Sequence, residues 1–384
     1  MDDTPIIPEN ISVMRFGLRV KWVRRFAVPP FLQFVIRRFM AVPISLLVIT
    51  MILYGGVMLT PPEARATLYM PDNMPPRLTE EQYKLIEERI IRQYHLRDPF
   101  PVQYFFWMRT LFDGTWGYSP SLNEYVLPSL LRRTPATLEL AIYSLMILIP
   151  LGLVSGVMAG WKRSGLFDRG FRALAFLGTS TPPFILAIVL LSLFYINRNW
   201  FSPGRLDLTY MLEISDGGFV SHTGMMTVDA FLNGRIDIMG NAFRHLVMPV
   251  FTLSIYHWAT LGRVTRVSML GEEKKEYVTA AKARGLIERR IVWKHVFRNI
   301  LTPSLTSMTL SATSIVTGVF VSEIIYDING VSGVIVRAMR GVPDAPAALG
   351  FAMYSVIMIL LLMFVLDVTQ AILDPRVREG VLKT

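Results

Sequence analysis

The chain is expected to be an all-α, polytopic membrane protein with about six transmembrane helices and a small folded piece on the outer side. Three observations point there. Of the 384 residues, 52% are hydrophobic and 18% charged, where a soluble domain is about half apolar and a quarter charged, and the mean hydropathy is positive at +0.42. Apolar runs long enough to cross a bilayer core recur along the chain, near 39–60, 137–160, 172–196, 246–268, 302–322 and 348–372. Basic residues collect in alternate connecting segments: 1–38, 161–172, 263–298 and 374–384 hold 24 of the 39 Lys and Arg. By the positive-inside tendency, those segments and both chain ends face the cytoplasm.

Each element follows in order. The first thirty residues carry Asp2, Asp3 and prolines at 5, 8, 29 and 30, without the short apolar core and small-residue site of a cleaved signal. Residues 1–38 are therefore read as a cytoplasmic segment ending at Arg37 and Arg38, which anchor a retained first spanning helix at 39–60. Residues 61–136 form an outer helical subdomain. There Thr79 and Gln82 have capping-box spacing, and Tyr83, Ile86, Ile90 and Tyr94 make an apolar stripe. A second amphipathic run, PVQYFFWMRTLF, ends at Gly114, Gly117 and Pro120. The stripe reads as core packing ahead of a ligand surface.

Residues 137–384 are expected to form a five-helix transmembrane core. Pro43, Pro150 and Pro249 fall within or beside the apolar runs, which membrane helices tolerate because neighbouring groups take up the freed carbonyls. The fifth apolar run carries nine Ser and Thr from Thr302 to Thr317, including Thr309 and Thr313. So many hydroxyls point either to a cavity or to close helix packing. Glu323 and Asp327 at the outer end of this helix, and Asp367 in the sixth, are candidate path residues, with hydrated or paired helix-end acids as the alternative.

Several kinds of chemistry are missing. With no cysteine, disulfides, zinc-thiolate sites, iron-sulfur clusters and a Cys nucleophile are excluded. No Gly-rich loop ends in Gly-Lys-Ser or Gly-Lys-Thr, the five histidines are scattered, and no Gly-x-Ser-x-Gly elbow occurs. The chain is not expected to be an enzyme or to bind nucleic acid; its net charge of +10 sits on the cytoplasmic side of a membrane.

The function signal lies in the basic segment at about 263–303. From Glu276 to Leu305 it reads as two helices broken at Gly285, a residue suited to the left-handed conformation that ends a helix. Ala280, Ala281 and Ala283 make the first helix narrow enough for another protein to approach, and Leu286, Ile287, Ile291 and Val292 give the second an apolar side. Residue chemistry alone leaves two readings even: a docking element, or a solvated basic loop drawn to anionic headgroups.

Ala280, Ala281 and Gly285, followed by an apolar-basic helix and Asn299 to Pro303, resemble the coupling loop of binding-protein-dependent ABC importer permeases. RRFMAVPISLLVI, LRDPFPVQYFFWMRTLFDGTWGYS, LLRRTPATLELAI, GLFDRGFR and LDPRVRE, in that order, are similar to the dipeptide and oligopeptide branch, so the resemblance runs from Arg37 to Arg378. It implies a type I importer permease bundle in the inner membrane of a prokaryotic cell, forming half of a translocation path. The implied partners are a second permease, two ATPase subunits, an extracytoplasmic substrate-binding protein and lipid. No cofactor is implied on this chain, and ATP and magnesium would sit on the ATPases. Glu276, Thr279, Ala280, Ala281 and Gly285 would form the coupling helix and turn, with Thr279 where the broader family has Glu. The chain also departs from the branch at Thr60 to Glu63, where a Gly-Asp-Pro turn is usual, and in a longer amino terminus and 197–245 loop. Peptide is the expected cargo, with oligosaccharide or a nickel chelate as alternatives. A secondary carrier or channel working without an ATPase is the competing class.

Overall fold

A computed structural model describes residues 30–70, 79–340 and 344–373. Most of the expected amino-terminal cytoplasmic segment and of the LDPRVRE motif lies outside the described residues. Nearly everything described is helical, as expected of backbone that must satisfy its own hydrogen bonds in lipid. In chain order the helices are α1 (Pro30–Val57), α2 (Pro62–Ala66), α3 (Glu80–Gln93) and α4 (Phe100–Phe112). A two-residue hairpin follows, β1 (Tyr118–Ser119) against β2 (Glu124–Tyr125). Then come α5 (Val126–Trp161), α6 (Leu166–Ser180), α7 (Pro183–Leu190), α8 (Leu208–Ser215), α9 (Met226–Leu232) and α10 (Ile236–Glu273). The chain closes with α11 (Glu276–Ala283), α12 (Glu288–Arg290), α13 (Phe297–Ile325), α14 (Ser332–Ala338) and α15 (Ala345–Leu373).

Helix bounds exceed the apolar runs because hydropathy marks where lipid begins, not where a helix ends. Thus α1 starts at Pro30, α5 at Val126 and α10 at Ile236, each with charged residues ahead of its apolar centre: Arg37 and Arg38, Arg132 and Arg133, and Asp237 and Arg244. The stretch 172–196 departs more sharply from expectation. It is not one straight helix: α6 and the α7 segment to Ile196 meet at 100°. Thr181, which precedes Pro182 and Pro183, is extended at φ −102° and ψ 117°, as a residue before proline prefers. Among the described residues four helices qualify as membrane spans by length and composition, those built on α1, α5, α13 and α15, and the bent pair is a fifth candidate. The 38-residue α10 is long enough but more polar, because Thr252, Ser254, His257 and Thr265 are buried against other helices instead of facing lipid.

The core forms where α10 crosses α5, α6 and α13. Leu140, Leu148, Leu253, Leu261, Ile315 and Val319 are buried there, and Phe171 meets Trp258 edge to face at 5.5 Å. Polar groups inside it are partnered across helices: Trp258 Nε1 donates to Ser155 Oγ at 2.9 Å, Ser254 Oγ to the Ser144 carbonyl at 3.1 Å, and Thr265 meets Ser304 at 3.1 Å. The outer subdomain caps α1 and α15. Its Thr79 and Gln82 complete the expected capping box. Trp107 stacks on Tyr54 of α1 at 4.8 Å, and Asp344 before α15 accepts from Ser119 at 2.6 Å and from the Ser121 amide at 3.0 Å.

Where α5 meets α10, the helices approach closely along a seam of small residues. Gly152, Gly156 and Gly160 of α5 repeat every four residues along one face and lie against Leu261, Gly262, Thr265 and Met269 of α10. A Cβ at Gly156 would stand 2.6 Å from the Gly262 carbonyl oxygen, a contact that backbone cannot relieve by changing rotamer. Gly156→Val is expected to push the helices apart and destabilise the bundle by about 1–3 kcal/mol, read as a lower thermal midpoint in detergent. Gly240→Ala, at a position with nothing within 4 Å, should leave the midpoint unchanged or raise it.

Candidate functional site

Two constellations stand at opposite ends of the bundle. At one end, α11 and α12 project as a bent element. Its turn is a Schellman motif, in which the Gly285 amide donates to the Lys282 carbonyl at 2.9 Å and the Leu286 amide to the Ala281 carbonyl at 3.2 Å. Gly285 has φ +72°, the left-handed conformation expected from the sequence. Glu276, Thr279 and Ala280 are exposed, whereas Ala281 is buried. The alanines therefore do not share one docking face: at about 100° per residue, Ala280 and Ala283 turn outward while Ala281 packs inward. The expected apolar side divides in the same way. Ile291 and Val292 are buried, and Ile287 is 76% exposed beside Arg289 and Arg290.

The inward residues tie this element to three long helices at once. Val278, Ala281, Ile291 and Val292 cluster with Val157 of α5, Met269 of α10 and Ile300 of α13. Lys282 places its ammonium 5.0 Å from the Trp161 ring centroid. Tyr277 donates to Glu272 at 2.7 Å, and Asn299 reaches the same carboxylate at 3.5 Å. Nearby, Arg266 of α10 grips buried Asp168 through Nε at 2.6 Å and Nη2 at 3.0 Å, so the start of α6 moves with α10. Asp168 lies in the GLFDRGFR motif, but its partner 98 residues away was not visible in sequence.

At the other end, Glu323 and Asp327 line a cavity of about 700 Å³ with Arg205, Asn329, Arg337 and Arg340. Thr309 and Thr313 do not reach it. Thr309 donates to the Leu305 carbonyl at 3.1 Å and to Gln370 of α15 at 3.3 Å, and Thr313 to the Thr309 carbonyl at 3.0 Å. On the same helix Thr306, Ser314 and Thr317 form an exposed stripe, while Ser304, Ser307 and Ser311 are buried, so the hydroxyls serve both faces. Asp367 pairs with Arg38 of α1 at 3.2 Å.

Glu323 is 1% exposed and acts as a staple. Its carboxylate accepts from the Ser332 amide at 2.9 Å, from Ser332 Oγ and from Thr137 of α5, whose Oγ1 also accepts from the Val331 amide at 3.0 Å. A methyl at Gly330 would collide with this carboxylate. Arg205 donates to buried Glu139 at 2.8 Å, and Asn329 Oδ1 accepts from Arg337 at 2.9 Å and from Arg133 at 3.3 Å. Burial works against ionisation of Glu124, but bonds from Ser129 and Arg133 and the charge of Arg132 outweigh it and hold the carboxyl below its usual range. The arginines escaped the sequence reading; the signal was Arg337 and Arg340 standing in a segment expected to be outer, against the charge asymmetry. Among the described residues no group of His, Asp or Glu is placed to hold a metal.

Residues 149–379 match the family described as binding-protein-dependent transport system inner membrane component. Similar proteins include the di/tripeptide transport system permease protein DppB of Pseudomonas aeruginosa, 31% identical over 76% of this chain and 88% of that protein. The dipeptide transport system permease protein DppB of Bacillus subtilis is 29% identical over 90% of this chain and 98% of its own length. The probable D,D-dipeptide transport system permease protein DdpB of Escherichia coli is 31% identical over 77% and 85%.

The Glu323 staple generates a test. Glu323→Ala leaves the Ser332 amide and two hydroxyls without their buried acceptor, which is expected to cost about 1–3 kcal/mol. The thermal midpoint should fall and protease should cut more readily between residues 327 and 340. Thr306→Ala, at an exposed position on the same helix, should change neither.

Proposed function

The chain belongs to the binding-protein-dependent transport system inner membrane component family, and on that premise we propose that it forms half of the translocation path of an ATP-driven importer of short peptides. Its contact with a cytoplasmic ATPase is the element Glu276 to Gly285. The observation that carries this reading is the division of that element into an exposed outer surface and an inner face buried against α5, α10 and α13. A segment free on one side and fixed to three long helices on the other converts a push from outside into a tilt of the bundle. The helical path from Glu288 through the π-helical turns at Ile291–Val296 into α13 is uninterrupted, so displacement at α12 reaches the cavity at the far end of α13. When two ATPase subunits close on ATP and magnesium, the lever would swing the bundle between inward and outward access.

The remaining partners follow from the same reading: a second permease that is a different chain, and an extracytoplasmic binding protein that delivers the solute. Peptide cargo is supported by the relatives, whose names specify dipeptides or di/tripeptides. The coupling element lies at the cytoplasmic end, and both termini face that side, in agreement with the distribution of Lys and Arg.

Because Ala280 faces outward and Ala281 inward, the two separate docking from folding. Ala280→Glu is expected to leave the thermal midpoint intact and to lower ATPase co-purification and peptide uptake at least about tenfold, the size of one interface hot spot. Ala281→Glu should lower the midpoint as well. Normal uptake with Ala280→Glu overturns the docking surface. Solute movement by the chain alone in liposomes without ATP would instead make it a secondary carrier.

A further inference from the structure

We propose that the cavity between α8, α14 and the outer end of α13 binds the carboxylate of a short peptide through Arg337 and Arg340. This rests on the peptide-importer reading and adds a ligand group and two residues to it.

The argument begins with unpaired charge. The third arginine that lines the cavity, Arg205, meets Glu139 at 2.8 Å, and Arg133, which shares Asn329 with Arg337, meets Glu124 at 3.1 Å. Arg337 and Arg340 have no carboxylate within 4.0 Å among the described residues. Among the described residues the side-chain partner of Arg337 is the neutral Asn329 amide oxygen, at 2.9 Å, which it shares with a second guanidinium, that of Arg133. A neutral acceptor holds Arg337 in place without cancelling its charge, whereas Arg133 has its counter-charge in Glu124. The cavity lining thus carries two exposed guanidiniums without a carboxylate partner against one exposed carboxylate, Asp327, that makes no ion pair within 4.0 Å among the described residues.

Shape and the rest of the lining select the ligand. About 700 Å³ falls within the range of small-molecule sites and far exceeds what an inorganic anion fills. The guanidiniums stand beside an apolar wall that includes Leu208, Met211 and Met226. A planar fork that donates to two oxygens next to apolar surface suits a terminal carboxylate followed by side chains. Glu323 is already committed to Ser332 and Thr137, so it closes the back of the cavity and leaves the guanidiniums to meet the ligand.

The test uses the membrane-embedded complex in lipid nanodiscs without the outer binding protein, and follows equilibrium binding of radiolabelled trialanine. The wild type is expected to bind it, and unlabelled trialanine should compete at least about tenfold better than trialanine amide, the discrimination expected for a charge-assisted pair. Arg337→Gln with Arg340→Gln should weaken binding by a similar factor, while Arg337→Lys with Arg340→Lys retains part of it. No binding by the wild type, equal competition by the amide, or unchanged binding in the glutamine variant each overturns the site. So does a glutamine variant that loses only stimulation of ATP hydrolysis by the binding protein, because the arginines would then serve docking. If the glutamine variant does not assemble, the amide competition on the wild type still decides. ATP-driven uptake that survives while the site fails leaves the importer reading standing, and loss of that uptake in the wild type removes both.

Discussion

The contact between α5 and α10 is the constraint on which the rest of the structure depends. Three glycines at four-residue spacing let the two longest helices approach until backbone nearly meets backbone. In lipid, where no hydrophobic force drives helices together, such close packing supplies the dispersion contacts that do. The cross-helix hydrogen bonds of Ser144, Ser155 and Thr265 then fix the register of the pair and of α13 beside it. Few rearrangements are open to a seam this tight, so the helices that share it move as a unit.

That unit spans from one functional constellation to the other. The same α5 carries Thr137 at the Glu323 staple and Trp161 under Lys282 of the coupling element. These residues are separated by roughly 36 Å of helix at the usual rise per residue, about the depth of a bilayer with part of its interface. α10 repeats the arrangement, with His245 near Asp207 at 3.2 Å at one end and Arg266 on Asp168 at the other. A force on α11 is therefore met at both ends of the bundle by ion pairs and hydrogen bonds, while the middle is held by close packing and the neutral hydrogen bonds of Ser144, Ser155 and Thr265. The 100° bend between α6 and α7 and the π-helical stretches at Leu191–Ile196 and Ile291–Val296 lie outside the seam, where the backbone is freer to change angle.

Much of this was legible from residue order. Composition and the spacing of apolar runs identify a helical membrane protein, because the bilayer imposes a length and a polarity that few other environments impose. Gly285 was readable as a helix stop, and Thr79 with Gln82 as a start, because both depend on local backbone geometry within a few residues. The motifs from Arg37 to Arg378 place the chain in its family, which the match over residues 149–379 shows.

What the tertiary structure decided is everything that needs two distant segments at once. The sequence could not say that Ala281 faces inward and Ala280 outward, because the direction of each depends on where α5 and α13 lie. It marked Glu323 as a possible path residue, yet its carboxylate is taken up by Thr137, 186 residues away, and by the loop that follows. Nor could it distinguish the unpaired Arg337 and Arg340 from the paired Arg133 and Arg205, since an arginine's charge is cancelled or left free by neighbours in space. Local propensity and hydropathy are properties of short windows, and with the motifs they determined most of the elements and the family. Pairing of charge, burial of one helix face and the volume left between helices are properties of the assembled bundle, and only its packing settles them.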